Sequence, residues 1–233
     1  MSTSESDRIE PIETDEAEAE WQQFQQVEHM VNHWDRPGWT DDRRSYHLML
    51  TFENAPEVRA LAAACQSEFG DIESLDLVPL DYLHVTIQGL GFTDEVSFAE
   101  IEDITAAIES RAAHLRPFGV QVGPLAGSPG AVRLSVTPHE PVRAIHRMIA
   151  ATASRKPGVP AIRTRSSDAY LPHASIAYSS SPAPAKPLIE RVRSLRRLGF
   201  VSARIDSLHL VELRREPRAY RWNTIGSIAL GRR

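Results

Sequence analysis

The sequence is short of cysteine and has no long apolar run. Cys65 is the single cysteine among 233 residues, so no disulfide can form within the chain. No stretch approaches the roughly eighteen apolar residues that a membrane-spanning helix needs. The first twenty residues also lack the basic end and apolar stretch of a secretory signal. These absences predict a cytoplasmic protein without membrane contact, in which Cys65 packs rather than reacts.

Net charge is low overall but unevenly spread. It is −5, yet residues 1–20 hold eight acidic side chains against Arg8, which leaves the remainder at about +2. Residues 191–233 carry eleven arginines and three acidic residues. A body so near neutrality does not favour tight coating of long nucleic acid, whereas a basic patch suits a short phosphate-bearing ligand. We expect residues 1–20 to be a disordered acidic tail and residues 21–233 to form one domain.

The order of predicted elements occurs twice along the chain. A helix opening at Pro56 precedes a strand with His84, and a helix opening at Pro141 precedes a strand with His173. Each half then continues with a second helix and two strands. In the first half, Ser97 caps this second helix. Equivalent positions lie 85 to 90 residues apart. This period predicts an α+β fold of two pseudo-twofold lobes, each an antiparallel sheet with helices outside, around a common cleft.

The segment before the first half is predicted to be a helix that ends by Pro37. In "WQQFQQVEHMVNHW" the apolar residues recur at helical spacing, and Pro37 with Gly38 ends the pattern. On that helix His29 and His33 would stand one turn apart, a spacing that zinc sites use. No third ligand is evident, so no metal is expected, and a metal hydrolase built on this pair stays a weaker alternative.

The short stretches "HVTIQG" and "HASIAY" carry the chemistry. Strict alternation along a strand places His84, Thr86 and Gln88 on one face. In the second stretch it places His173, Ser175 and Ala177 together, with Tyr178 on the opposite face. That placement favours Tyr178 as a core residue, although a ring stacking a base at the pocket mouth stays open.

Two imidazoles and two hydroxyls facing one space suit a phosphodiester. A neutral histidine can accept a proton from an attacking water or hydroxyl, while a protonated one donates to the leaving oxygen. The hydroxyls can donate hydrogen bonds to the nonbridging phosphoryl oxygens. Such a mechanism requires no metal ion or cofactor.

At these residues the sequence resembles the 2H phosphoesterase superfamily, which includes bacterial 2'-5' RNA ligases and cyclic nucleotide phosphodiesterases. Its signature is two H-x-[ST]-x motifs, here starting at His84 and His173. The resemblance implies that these histidines are the catalytic base and acid, in an order set by reaction direction, and that Thr86 and Ser175 bind the phosphate. The second motif carries serine where many members have threonine, which keeps the hydroxyl and drops a methyl.

The resemblance also implies the substrate class. The expected partners are RNA ends or small nucleotides with a cyclic 2',3'-type or a 2'-5' phosphodiester, handled by a monomer. A non-catalytic module that binds a nucleotide or an RNA end is the alternative.

Several further residues are assigned more loosely. Trp34, Arg36 and Trp39 either cover the cleft or only tie the N-terminal segment to the body. The loops expected to line the cleft are Gly91–Glu95, residues 154–168 with Arg163 and Arg165, and Ser179–Lys186. The histidines expected to be structural or solvated are His29, His33, His47, His114, His139, His146 and His209.

Overall fold

The computed structural model of the protein describes residues 14–40, 42–153 and 169–231. The helices within these ranges are α1 (Asp15–Gln25), α2 (Pro56–Gln66), α3 (Phe98–Ala112), α4 (His139–Ala153) and α5 (Lys186–Leu195). The strands are β1 (His29–Met30), β2 (Arg44–Thr51), β3 (Leu75–Leu77), β4 (His84–Phe92), β5 (Phe118–Ser128), β6 (Ala131–Thr137), β7 (His173–Ser179), β8 (Ala183–Pro184), β9 (Val201–Ile205), β10 (Ser207–Glu216) and β11 (Ala219–Ala229).

Two antiparallel sheets form the body, and each contains one histidine strand. The four-stranded sheet has the order β11-β10-β2-β4, and the five-stranded sheet has the order β3-β7-β6-β5-β9. Helices α3 and α4 pack on the first sheet, and α1, α2 and α5 on the second. Strands β4 and β7 pack against each other, and the Tyr170 hydroxyl donates across this junction to the Thr86 carbonyl at 2.9 Å. The predicted two-lobed α+β class is therefore confirmed.

The lobes do not coincide with the two halves of the sequence. The His84 sheet joins β2 and β4 to the late strands β10 and β11, whereas the His173 sheet joins the late strands β7 and β9 to β3, β5 and β6, which precede Pro141. The final segment also forms three strands where two were predicted. Each lobe thus depends on strand pairs that lie far apart in sequence.

Most helix signals behaved as predicted. Pro56 starts α2, and α3 has the full capping box, in which the Ser97 side chain accepts from the Glu100 amide and the Glu100 carboxylate accepts from Ser97. Phe98, the first residue of α3, is 48% exposed. Cys65 is buried as expected, and burial raises the pKa of its thiol to about 12.

The N-terminal predictions were wrong in two respects. Helix α1 begins at Asp15, so residues 14–20 are ordered; residues 1–13 lie outside the described ranges. Order extends this far because Glu20 is 1% exposed and its carboxylate accepts from His139 Nε2 at 2.9 Å. The helix also ends at Gln25, short of His29 and His33.

The early end of α1 follows from competing backbone partners. The Val31 amide donates to the Pro129 carbonyl and the His33 amide to the Ser179 carbonyl, both at 2.7 Å. These bonds take the place of helical ones and fold the chain around the tip of the β5–β6 hairpin. Within the described residues, no helix has the length and apolar character needed to cross a membrane.

Candidate active site

His84 and His173 are anchored in the same way. The Nδ1 of His84 lies 2.8 Å from the Tyr82 carbonyl oxygen, and the Nδ1 of His173 lies 2.7 Å from the Leu171 carbonyl oxygen. A carbonyl only accepts, so each Nδ1 carries the proton and each Nε2 is left to accept or donate one. Both imidazoles therefore have one orientation and one reactive nitrogen.

The surroundings of His84 favour its neutral form. Trp222 meets its ring edge to face at 5.0 Å between centroids, and Tyr82 meets Trp222 in the same manner at 4.8 Å. Burial lowers the pKa of His84, and the bond to the Tyr82 carbonyl offsets this only in part. At neutral pH His84 is thus a proton acceptor.

A β-bulge at Ile87 changes which residues share the face of His84. Thr86 lies opposite Met49, but Gln88 lies opposite Leu48, the next residue of β2. Adjacent residues of a strand face opposite sides, so Gln88 points away from the face of Thr86. The prediction that Gln88 shares the face of His84 is therefore wrong.

The second motif has the same bulge at the equivalent position, Ile176. Ser175 lies opposite Arg133, Ala177 opposite Val132, and Tyr178 opposite Ala131. Ala131 and Arg133 share a face of β6, so Tyr178 shares the face of Ser175 and Ala177 does not. The predictions from strict alternation are wrong for both residues. The Ser175 side chain in fact interacts with the Tyr178 hydroxyl and partly offsets the rise that burial causes in the pKa of Tyr178.

The two phosphate-binding candidates differ in exposure. Thr86 is exposed, whereas Ser175 is only 7% exposed. Thr86 follows His84 on β4, and Ser175 follows His173 on β7, so each hydroxyl stands two residues beyond its histidine on the same face. Each lobe therefore supplies one imidazole and one hydroxyl side by side.

His47 is a neighbour of His84 that the sequence reasoning missed. It lies on β2 opposite Gly89, and its Cε1 is 3.3 Å from the position that a Cβ on Gly89 would occupy. Burial lowers the pKa of His47 to about 3, with the charges of His84 and Arg36 adding to the effect. Both ring nitrogens are buried without a hydrogen-bond partner among the described residues. Only the β2–β4 register identifies this neighbour of His84.

His33 is the second missed residue, and it lies beside the other motif. Its ring stacks on Tyr178 at 3.9 Å between centroids and meets Tyr220 edge to face at 5.7 Å. Burial lowers the pKa of His33 to about 3, and the charges of Arg36, Arg215 and His173 add to this shift. His33 is therefore a neutral ring close to His173.

We call residues 29–39 the strap. Trp34 fixes it by donating from Nε1 to Asp76 Oδ2 at 2.7 Å, and Trp39 packs against Phe92 at 5.1 Å between ring centroids. These contacts support the view that both tryptophans tie the N-terminal segment to the body. They also hold His33 against Tyr178.

The described residues contain no group of three or more histidine, cysteine, aspartate or glutamate side chains placed to hold a metal ion. His29 and His33 are not one helical turn apart, because β1 and a turn replace the predicted helix. The predicted lining segment 154–168, with Arg163 and Arg165, lies outside the described residues.

Two sheets that each present a histidine and a hydroxyl on paired strands define a two-lobed protein of the phosphoesterase type. Residues 73–217 match the model of the 2'-5' RNA ligase superfamily. The chain therefore belongs to this superfamily, and the resemblance to 2H phosphoesterases is confirmed. The matched region contains both motifs and begins after the strap.

Solved structures share the fold. The chain is similar to TT0787 of Thermus thermophilus, with a TM-score of 0.59 and 22% identity over 81% of this chain and 98% of that one. It is also similar to E. coli LigT complexed with NADP+, at TM-score 0.59 and 15% identity over 82% and 99%. LigT complexed with 3'-AMP gives 0.59 and 15% over 81% and 99%. No curated protein matches the chain by sequence.

Proposed function

We propose that the protein is a metal-independent phosphodiesterase. Its substrates are cyclic 2',3'-type or 2'-5' phosphodiesters of RNA ends or small nucleotides, with ligation as the reverse reaction. It works as a cytoplasmic monomer without a cofactor. The observation that supports this most is the matched anchoring of His84 and His173, which leaves one Nε2 in each lobe for proton transfer.

In this mechanism the two histidines start in opposite protonation states. His84, whose pKa is lowered by burial, accepts the proton of the attacking water or ribose hydroxyl as the new P–O bond forms. His173 donates its Nε2 proton to the leaving oxygen as the old P–O bond breaks. Thr86 and Ser175 donate hydrogen bonds to the nonbridging oxygens, where negative charge accumulates. In ligation a 5'-hydroxyl attacks the cyclic phosphate and a ribose oxygen leaves, which reverses the attack by the ribose hydroxyl, so the two histidines exchange roles.

The ligands of relatives support a nucleotide substrate. Structures of E. coli LigT are complexes with 3'-AMP, NADP+ and ATP. All three carry a nucleotide phosphate.

The decisive experiment measures hydrolysis of 2',3'-cyclic nucleotides in EDTA. We expect His84→Ala and His173→Ala each to lower kcat about 10²- to 10⁴-fold, since each removes an acid or base. The exposed His114 on the turn after α3 provides a matched control, and His114→Ala should keep full activity.

Three outcomes would contradict the proposal. Unchanged turnover in both site variants would remove the histidine mechanism. Activity abolished by EDTA would indicate a metal hydrolase. Stable binding of an intact cyclic phosphate by the wild type, without turnover, would indicate a binding module.

A further inference from the structure

Two arginines attach to the strap beside His173. The Nε of Arg36 donates to the His33 carbonyl at 3.1 Å, and its Nη2 lies 3.3 Å from His33 Nδ1. Arg215 donates to the carbonyl of Trp34, and its guanidinium carbon lies 5.1 Å from the centroid of the Trp34 ring. The two guanidinium groups therefore contact consecutive residues of the strap, His33 and Trp34.

Arg36 and Arg215 differ from the arginines around them. Neither forms an ion pair with a carboxylate among the described residues, and Arg36 keeps most of its five N–H donors unused. Nearby ion pairs join Arg43 to Asp94 and Glu95, Arg214 and Arg221 to Glu216, and Arg218 to Asp76. Two guanidinium groups that contact consecutive strap residues without a carboxylate partner leave local positive charge uncompensated, so their placement favours binding of an anion.

The arginine pair lies near the phosphate-binding hydroxyl of the second motif but not on it. Arg36 contacts His33, whose ring stacks at 3.9 Å on Tyr178, and Tyr178 in turn reaches Ser175. The stacked rings of His33 and Tyr178 thus separate Arg36 from Ser175. An anion at Arg36 would be a group other than the one that Ser175 holds.

The charge of Arg36 also acts on a histidine of the His84 sheet. This charge lowers the pKa of His33 in one lobe and of His47 in the other. The Nε2 of His33 and both nitrogens of His47 are buried and lack a hydrogen-bond partner among the described residues. Unpartnered buried polar atoms are costly in a folded protein, and a ligand that supplies donors or acceptors removes that cost.

We propose that Arg36 and Arg215 form a second anion subsite, which binds a phosphate monoester of the substrate next to the phosphodiester held by Thr86 and Ser175. A phosphate dianion matches two guanidinium groups better than a carboxylate does, since it offers two charges and three acceptor oxygens. The inference rests on the proposed function and narrows its substrates to nucleotides or RNA ends that carry a further phosphate, such as a 5'-phosphate.

The kinetic test compares 2',3'-cyclic AMP with its 5'-phosphorylated form. Wild type should prefer the phosphorylated substrate about tenfold or more through a lower KM, and Arg36→Gln and Arg215→Gln should each remove most of that preference. Both variants should keep kcat/KM for 2',3'-cyclic AMP within about threefold of wild type. Arg204→Gln, at an exposed arginine of β9, is the matched control and should keep the preference.

A binding test separates this inference from the proposed function. Calorimetry with adenosine 2'-monophosphate and adenosine 2',5'-bisphosphate compares two ligands that differ only in the second phosphate and needs no turnover. Tighter binding of the bisphosphate, lost in Arg36→Gln, supports the subsite even if neither cyclic substrate is hydrolysed. Equal affinities in the wild type would overturn it. An equal fall in kcat on both cyclic substrates would overturn it too, because Arg36 would then act on the reacting phosphate.

Discussion

At the scale of single residues, the two motif histidines owe their chemistry to a local bond. Each is the first residue of its strand, and each directs Nδ1 to the carbonyl two residues earlier. That bond fixes the tautomer and the ring plane before any substrate arrives, so proton transfer at Nε2 needs no reorientation. Ser175 also has a partner nearby, because its side chain interacts with the Tyr178 hydroxyl.

We expect Tyr178→Phe to lower kcat about three- to tenfold, because it removes the hydroxyl that interacts with the Ser175 side chain. The measurement is the hydrolysis rate of a 2',3'-cyclic nucleotide. Tyr46→Phe is the control, since Tyr46 packs against Phe98 of α3 rather than at the site.

A double-mutant cycle distinguishes positioning from a general effect on packing. If Tyr178 acts through Ser175, adding Tyr178→Phe to Ser175→Ala should cost no further activity. Fully additive losses would refute that role for Tyr178.

At the scale of elements, the β-bulges decide what each histidine strand presents. Both bulges fall on the isoleucine that follows the motif hydroxyl, Ile87 and Ile176. The bulge turns Gln88 and Ala177 away from the site and brings the next residue toward it. That next residue is Gly89 in one lobe and Tyr178 in the other, so His47 occupies the space beside Gly89.

The bulged strand β4 also depends on Gly91. Its φ is +129°, and a Cβ there would lie 2.5 Å from Cγ2 of the buried Val96. We expect Gly91→Ala to lower the free energy of unfolding by more than about 1 kcal/mol, because both the backbone conformation and the space exclude a side chain.

Urea unfolding tests this expectation. Gly70→Ala is the matched control, since no atom lies within 4 Å of its added Cβ, and its midpoint should stay close to that of the wild type or rise. Equal midpoints for the two variants would contradict the role assigned to Gly91.

At the scale of the whole molecule, folding keeps two imidazoles neutral, that of His33 on the strap and that of His47 on β2. The pKa values of His33 and His47 fall from 6.5 to about 3. Between these values the unfolded chain binds more protons than the folded one, so the free energy of unfolding decreases as pH falls. The full stability is present above about pH 6.5 and is lost progressively toward pH 3.

We expect His47→Phe to reduce the slope of the free energy of unfolding against pH by up to about 1.4 kcal/mol per pH unit, which corresponds to one proton. The phenyl ring has a similar shape and no titrating nitrogen. Urea unfolding at pH 4.5, 5.5 and 7.5 measures the slope. Met49→Leu, on the same face of β2, alters packing without removing a titrating group and should keep the wild-type slope; an unchanged slope in His47→Phe would refute the assignment.

The sequence alone determined the α+β class, the main helices, the two motifs and the superfamily. Helical periodicity, a capping box and an H-x-[ST] spacing are local, so they can be read within a few residues. Only the tertiary structure decided where the strap lies, which strands join each sheet, and that His33, His47 and Tyr178 lie beside the motif residues. Bulges depend on the register of the partner strand, and the Trp34–Asp76 bond joins residues 42 positions apart. Such contacts leave no period in the sequence, because they form only after distant segments have packed.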